Sequence, residues 1–232
     1  MTDVVLQVRD LGKTFTLHGR GAIRLPVFGG VALDLAPGEC VALTGRSGSG
    51  KSSLLRCLYG NYAATSGTVR VRHEARWVDL TGASPREVIA VRRRTLGYVT
   101  QFLRVIPRVS ALDIVAEPLR RLGHPADAAR AEAARWLARL NLGERLWQLP
   151  PATFSGGEQQ RVNIAHGLIA GHPILLLDEP TASLDDVNRE VVVGLIREAR
   201  ERGAAVIGIF HDAEVRDAVA THWVDVEAFR AA

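Results

Sequence analysis

The segment "GRSGSGKSS", residues 45–53, constrains this chain more than any other, because it stands between the apolar run "ECVALT" (39–44) and the helical run "LLRCLYG" (54–60). A strand that passes through a glycine-rich turn directly into a helix is an opening unit of a parallel α/β sheet. The turn matches G-x-x-x-x-G-K-[ST] at Gly45, Gly50, Lys51 and Ser52. Glycines let successive N–H groups turn inward around phosphate oxygens, and the following helix adds its positive N-terminal end. Lys51 suits neutralising the β and γ phosphates, and the Ser52 hydroxyl suits Mg²⁺. Gly45, Arg46, Ser47, Gly48, Ser49, Gly50, Lys51, Ser52 and Ser53 are therefore candidate contacts for a nucleoside triphosphate and its metal ion.

The rest of the chain alternates in character. "VVLQVRD" (4–10), "VALDLA" (31–36), "ECVALT" (39–44), "GTVRVR" (67–72) and "RWVDL" (76–80) read as strands, being short, β-branched or alternating, and bounded by Gly, Pro or Asp. From about 102 to 170, "SALDIVAEPLRRLG", "PADAARAEAARWLARLNL" and "GGEQQRVNIAHGLIA" carry helical periodicity with no good strand among them. The strand "PILLLD" (173–178), a helix over "VNREVVVGLIREARERG", the strand "AAVIGIF" (204–210) and a closing helix and strand restore the βα alternation of a mostly parallel sheet. The expected organisation is an α/β core over 1–101 and 171–232, interrupted by a helical insertion over 102–170. At 232 residues and 47% hydrophobic content, the chain fits one large α/β domain with such an insertion.

Several classes are excluded. The longest stretch free of acidic, lysine or arginine residues, "VNIAHGLIAGHPILLL", contains Asn163, two histidines and Pro173. It falls short of the roughly 18 to 20 apolar residues a membrane span needs. "MTDVVLQVRD" lacks a signal-peptide core, so a cytoplasmic location is expected. Cys40 and Cys57 have neither metal-ligand nor CxxC spacing and read as reduced core thiols. The net charge of +4 comes almost wholly from arginines that are scattered along the chain. "RRR" at 92–94 follows a helical pattern and reads as a solvated face, so no nucleic-acid partner is expected.

Two carboxylates follow the strand "PILLLD". Asp178 stands at its carboxyl end, where open α/β sheets hold ligands, and suits a role at Mg²⁺. Glu179 suits orienting and deprotonating an attacking water. Just upstream lies "FSGGEQQR" (154–161). The phosphate loop, Gln101, "SGGEQQ", "LLLDEPTASLD" and His211 after a strand, in this order, resemble the ABC-type ATPases. The resemblance implies ATP with Mg²⁺ as cofactors and a RecA-like core with a mostly parallel sheet, an amino-terminal β subdomain and an inserted helical subdomain. It also implies a head-to-tail dimer of the chain with itself or a related ABC subunit. In that dimer Ser155, Gly156 and Gly157, with Glu158 beside them, would cap the phosphate held by the partner's loop.

By the same resemblance, Phe15 would stack on adenine, Gln101 would reach the Mg²⁺ and the attacking water, and His211 would contact the γ-phosphate. Ser183 to Asp185 would communicate across the dimer, although Asp185 also stands where a helix N-cap is expected. His18, His73, His124, His166, His172 and His222 read as structural. The sequence departs from the common pattern in three places. Phe154 and Glu158 replace Leu and Gln, and Glu158 adds charge expected to slow turnover. His166 stands where arginine is usual, which is expected to weaken a contact behind the signature helix. Ser53 replaces the usual threonine.

Outside these motifs, "IRLPVF", "RWVDL", "QFLRVIPRVSAL" and "REARERGAAVIGIFHD" are together similar to the ATPase subunits of phosphonate carbon-phosphorus lyase systems. That similarity implies lyase subunits as partners and support of alkylphosphonate activation (ribose 1-methylphosphonate 5-triphosphate synthesis), with no direct membrane insertion. "QFLRVIP" followed by "SALDIVAEPL" also resembles the ATPases of lipoprotein-release and macrolide-export transporters. The implied alternative is a transporter motor.

Overall fold

The structure, a computed structural model, describes residues 3–17, 22–103 and 107–230. In chain order its elements are β1 (Leu6–Leu17), β2 (Ile23–Leu35), β3 (Cys40–Thr44), α1 (Lys51–Leu58), β4 (Ser66–His73), β5 (Arg76–Asp79), α2 (Pro85–Arg94), β6 (Leu96–Val99), α3 (Ala111–Arg121), α4 (Ala126–Arg139), α5 (Glu144–Trp147), α6 (Gly156–Leu168), β7 (Ile174–Asp178), α7 (Asp186–Glu201), β8 (Ala205–Ile209), α8 (Ala213–Val219) and β9 (His222–Asp225). Short 3-10 turns lie at Pro151–Thr153 and Val226–Phe229.

The strands form two sheets. One is parallel, in the order β6-β7-β8-β3-β9, and the other is antiparallel, in the order β2-β1-β4-β5. The inner parallel strands β7, β8 and β3 are almost wholly apolar because both faces are covered, whereas the edge strand β9 is largely exposed, and the period of two sends alternate residues into opposite cores. Ile174, Leu176, Val41 and Ile207 join the core shared with the antiparallel sheet and α1. Leu175, Leu177, Ala42 and Val206 join the core built with α3, α4, α6 and α7. Cys40 and Cys57 are free and buried, and burial pushes their thiols up to about 12 and about 11.

The structure lengthens two of the expected strands and adds a third. β1 continues past Asp10 to Leu17 through register shifts between Val8 and Thr14 that break its alternation. Asp10 itself has a positive φ. β2 begins eight residues before "VALDLA", running through Pro26 and Gly29–Gly30; it is an edge strand, where proline costs no ladder bond. β6 went unread because four residues directly after a helix carry no periodicity of their own. Its identity comes from parallel pairing with β7, Leu96 against Ile174 through Val99 against Leu177. Between β6 and β7 the described residues form helices and no strand. Ser110 caps α3 by accepting the Asp113 N–H, and α3 packs on α4 and α6. Arg104, Val105 and Ile106 of "QFLRVIP", and His18, lie outside the described residues.

Candidate active site

The carboxyl ends of β3 and β7 are separated only by β8, which brings the two sequence motifs together. Ser52 Oγ donates to Asp178 Oδ1 at 3.0 Å, joining the first turn of α1 to the end of β7. Tyr98 on β6 donates its hydroxyl to the other carboxylate oxygen, at 3.2 Å. Asp178 is only 1% exposed, and burial pushes its carboxyl above the usual range against the opposing hydrogen bonds from Ser52 and Tyr98. A hydroxyl and a carboxylate converging on one point fit Mg²⁺, which takes one or two protein oxygens and fills its remaining positions with phosphate and water. Within the loop, Lys51 Nζ donates to the carbonyls of Gly45 (2.6 Å) and Arg46 (2.8 Å). Among the described residues, the buried Ser49 Oγ has no hydrogen-bond partner, a polar atom whose cost a bound oxyanion would relieve.

Glu179 follows at once, and its backbone is strained. Its φ of 51° is left-handed, which costs a residue bearing a Cβ about 1–2 kcal/mol. The turn is held by its N–H, which donates to Ile209 O at 3.0 Å. Its carboxylate is bracketed: Gln101 Nε2 donates to Oε2 at 3.2 Å, and His211 Nε2 lies 3.7 Å from Oε1. Three residues spaced over 110 positions of sequence thus meet at one carboxylate. His211 is 75% exposed while Glu179 is 17% exposed, so the histidine forms the solvent side of the group.

The segment "FSGGE" begins α6. Ser155 is its N-cap in a full capping box: Glu158 N–H donates to Ser155 Oγ (3.3 Å), and Ser155 N–H and Oγ both donate to Glu158 Oε2 (2.8 Å each). The Ser155 N–H, followed by its hydroxyl, holds the Glu158 carboxyl below the usual range. Glu158 is therefore a structural cap and not merely a surplus charge. Gly157 packs so close that a Cβ there would lie 2.8 Å from Ser183 O. Gln160 Nε2 donates to Pro180 O, and Asn163 Nδ2 donates to Thr100 O. These two side chains tie α6 to the segments carrying Glu179 and Gln101.

Gln160, Asn163 and Tyr98 were missed from sequence. The available signal was a polar pair at i and i+3 in a helical run whose neighbours Val162, Ile164 and Ala165 are apolar; both residues are 4% exposed. Asp185 caps α7, accepting the Asn188 N–H at 2.8 Å, which holds its carboxyl low. Arg161 of α6 donates to Asn188 Oδ1, so the cap is also joined to the signature helix. Phe15 is half-buried, with Tyr62 edge-on at 5.3 Å and Lys13 Nζ 4.6 Å from its centroid. It pairs with Leu25 in the hairpin whose Val27 lies over Gly50. His166 keeps an acidic partner, Glu117 of α3 at 3.6 Å, and this contact holds the Glu117 carboxyl low. His73 is buried against Thr95, and burial lowers His172.

Comparison with known proteins decides the family. The profile described as "ABC transporter" matches residues 28–182. The chain belongs to the ABC transporter ATPases. This ABC ATPase is 40% identical over 216 residues to the lipoprotein-releasing system ATP-binding protein LolD of Maricaulis maris, covering 93% of the chain and 91% of that protein. It is 39% identical over 213 residues to the macrolide export ATP-binding/permease protein MacB of Brucella melitensis, covering 92% of the chain but 32% of that longer protein. The dimeric ATP-binding cassette MJ0796, solved in a post-hydrolysis state bound to ADP and Pi, superposes with a TM-score of 0.85 at 29% identity, covering 96% of this chain and 95% of that one. The ABC ATPase fold expected from the motifs is the fold observed, and its cofactors are ATP and Mg²⁺. The named relatives are transporter ATPases rather than phosphonate-lyase subunits.

Proposed function

We propose that this ABC ATPase is the motor subunit of a membrane transporter of the lipoprotein-release or macrolide-export type, acting as a head-to-tail pair in which each ATP lies between the loop of one chain and Ser155–Gly157 of the other. In this reading residues 45–53 hold the triphosphate, with Ser52, Asp178 and Gln101 holding Mg²⁺. The metal ion supplies charge neutralisation at the β and γ phosphates. Glu179 takes the proton of the attacking water, and Gln101 and His211, which already meet its carboxylate, set its position and contact the γ-phosphate side. The 102–170 helical segment is the arm that receives the membrane subunit.

The observation that carries the transporter assignment is the similarity to the lipoprotein-releasing ATP-binding protein, 91% of whose length the chain covers; a cavity of about 630 Å³ between α2, β6, α3 and α6, lined by Tyr59, Leu103, Val109, Ile114 and Arg120 among others, offers a place for the partner. Beside it Phe102 is 74% exposed. Arg92, Asp113, Glu117, Arg121 and His166 also line the cavity, so it suits an amphipathic segment of a membrane subunit, seated against Thr100, the residue before Gln101. The cavity would serve a soluble partner equally well, and it is the transporter names of the relatives that favour the motor. Among the described residues no helix is long and apolar enough to cross a membrane.

Affinity purification of the Glu179→Gln protein from detergent-solubilised host membranes tests this. The expected result is co-purification of an integral membrane subunit of these transporter types, identified by mass spectrometry and lost when Phe102→Asp is added. Recovery with phosphonate-lyase subunits from the soluble fraction, with Lys51→Ala abolishing growth on methylphosphonate, would overturn it.

A further inference from the structure

The phosphate loop is gripped from outside by the segment that follows β9. Parallel pairing of β9 with β3 sets Asp225 opposite Thr44, the residue before Gly45. The chain then turns, with Asp225 Oδ1 accepting the Glu227 N–H at 3.0 Å. This brings the Glu227 carboxylate onto the loop, where Oε1 accepts the Arg46 backbone N–H at 2.8 Å and lies 3.9 Å from the Arg46 guanidinium. Contact at Gly45 is tight: φ is 125°, and a Cβ there would lie 3.2 Å from Glu227 Cγ and 3.3 Å from Asp225 Oδ1. On the opposite side, Lys51 Nζ holds the carbonyls of Gly45 and Arg46. The 45–46 peptide is thus fixed through its N–H by Glu227 and through its carbonyl, Gly45 O, by the lysine that serves the phosphates, which also holds the carbonyl of the next peptide.

We propose that Glu227 is a positioning residue of the nucleotide site, holding the 45–46 peptide in the orientation that shapes the loop and rests Lys51 at its mouth. The proposal depends on the reading that residues 45–53 bind the triphosphate. A glycine-rich loop carries few side chains to fix itself, so its ordering entropy falls on the binding equilibrium unless an outside group removes it beforehand. Glu227 supplies that restraint with a carboxylate acceptor, among the stronger kinds of hydrogen bond. It touches neither the metal position nor the attacking water, so its effect belongs to affinity and not to the chemical step.

The test is the Kd of mant-ATP together with steady-state ATP hydrolysis, measured on wild type, Glu227→Ala, Glu227→Gln and Lys51→Ala. Glu227→Ala is expected to raise Kd and the KM for ATP about tenfold or more, the span of one hydrogen bond to a charged acceptor, with kcat within about twofold. Glu227→Gln keeps an oxygen to accept the Arg46 N–H and is expected to restore Kd to within about twofold. Unchanged affinity in Glu227→Ala, a Glu227→Gln protein as weak as Glu227→Ala, or a loss confined to kcat overturns the assignment. Lys51→Ala separates the two levels of argument. If it also binds normally, the loop reading fails; if it alone loses affinity, only the role of Glu227 fails.

Discussion

The two helix N-termini that the proposed function sets against phosphate are finished in opposite ways. α1 begins at Gly50 with no side-chain cap and no acidic residue in its first turn, so its N–H groups and its positive end are left for a ligand. α6 begins with a closed capping box, and the Glu158 carboxylate already compensates its positive end while engaging the Ser155 hydroxyl. The first end is built to hold an oxyanion unaided. The second satisfies itself, and must exchange an internal partner for an external one before its serine can serve. This contrast supports a division in which the loop binds first and the signature end closes over it later.

The largest effects should separate the two ends. Lys51→Ala is expected to lose triphosphate affinity in the isolated chain. Ser155→Arg should leave that affinity intact while abolishing the ATP-driven dimer of the Glu179→Gln protein in light scattering. Glu179→Gln alone should lower hydrolysis by about 10²-fold or more. Equal loss of monomer binding in Lys51→Ala and Ser155→Arg would break the division. A smaller effect concerns the tether between the ends. Gln160→Leu leaves the Pro180 carbonyl without its buried donor and should destabilise the fold by about 1–3 kcal/mol, read by chemical denaturation.

The smallest effect is the cap itself. Glu158 is held below its unfolded value of about 4.3, so its contribution is complete above that pH and is lost as pH falls through the lower folded value. Glu158→Ala should cost about 0.3–1 kcal/mol at pH 7, and the difference from wild type should vanish under strongly acidic conditions. A difference that persists there would show that the carboxylate charge is not what the cap uses.

The loop, Asp178 and Glu179 were legible because each chemistry is local: a strand, a turn and a helix within a few residues carry it. Gln101 and His211 needed the family resemblance, since a lone glutamine or histidine has no pattern, and only the sheet brings them to Glu179. Tyr98 and Glu227 were invisible for a different reason, and Gln160 showed only as one of a polar pair in an apolar helical run. Each acts through a hydrogen bond to a group far away in sequence, Asp178, the Arg46 N–H and Pro180 O. The same physics hid β6, whose four residues become a strand only beside β7. Composition likewise said nothing of which partner the ATPase drives, because surface grooves such as that beside Phe102 are assembled from four elements at once.

The close fit of Gly157 on Ser183, with Gln160 bonded to Pro180, couples the start of α6 to the turn that follows Glu179. In the proposed head-to-tail pair that coupling would act as a hinge pin, through which the segment after Glu179 in one chain would bear on its own α6 and α6 on the other chain's nucleotide. A methyl added at Gly157 would meet the Ser183 carbonyl and is expected to force the pin from its seat.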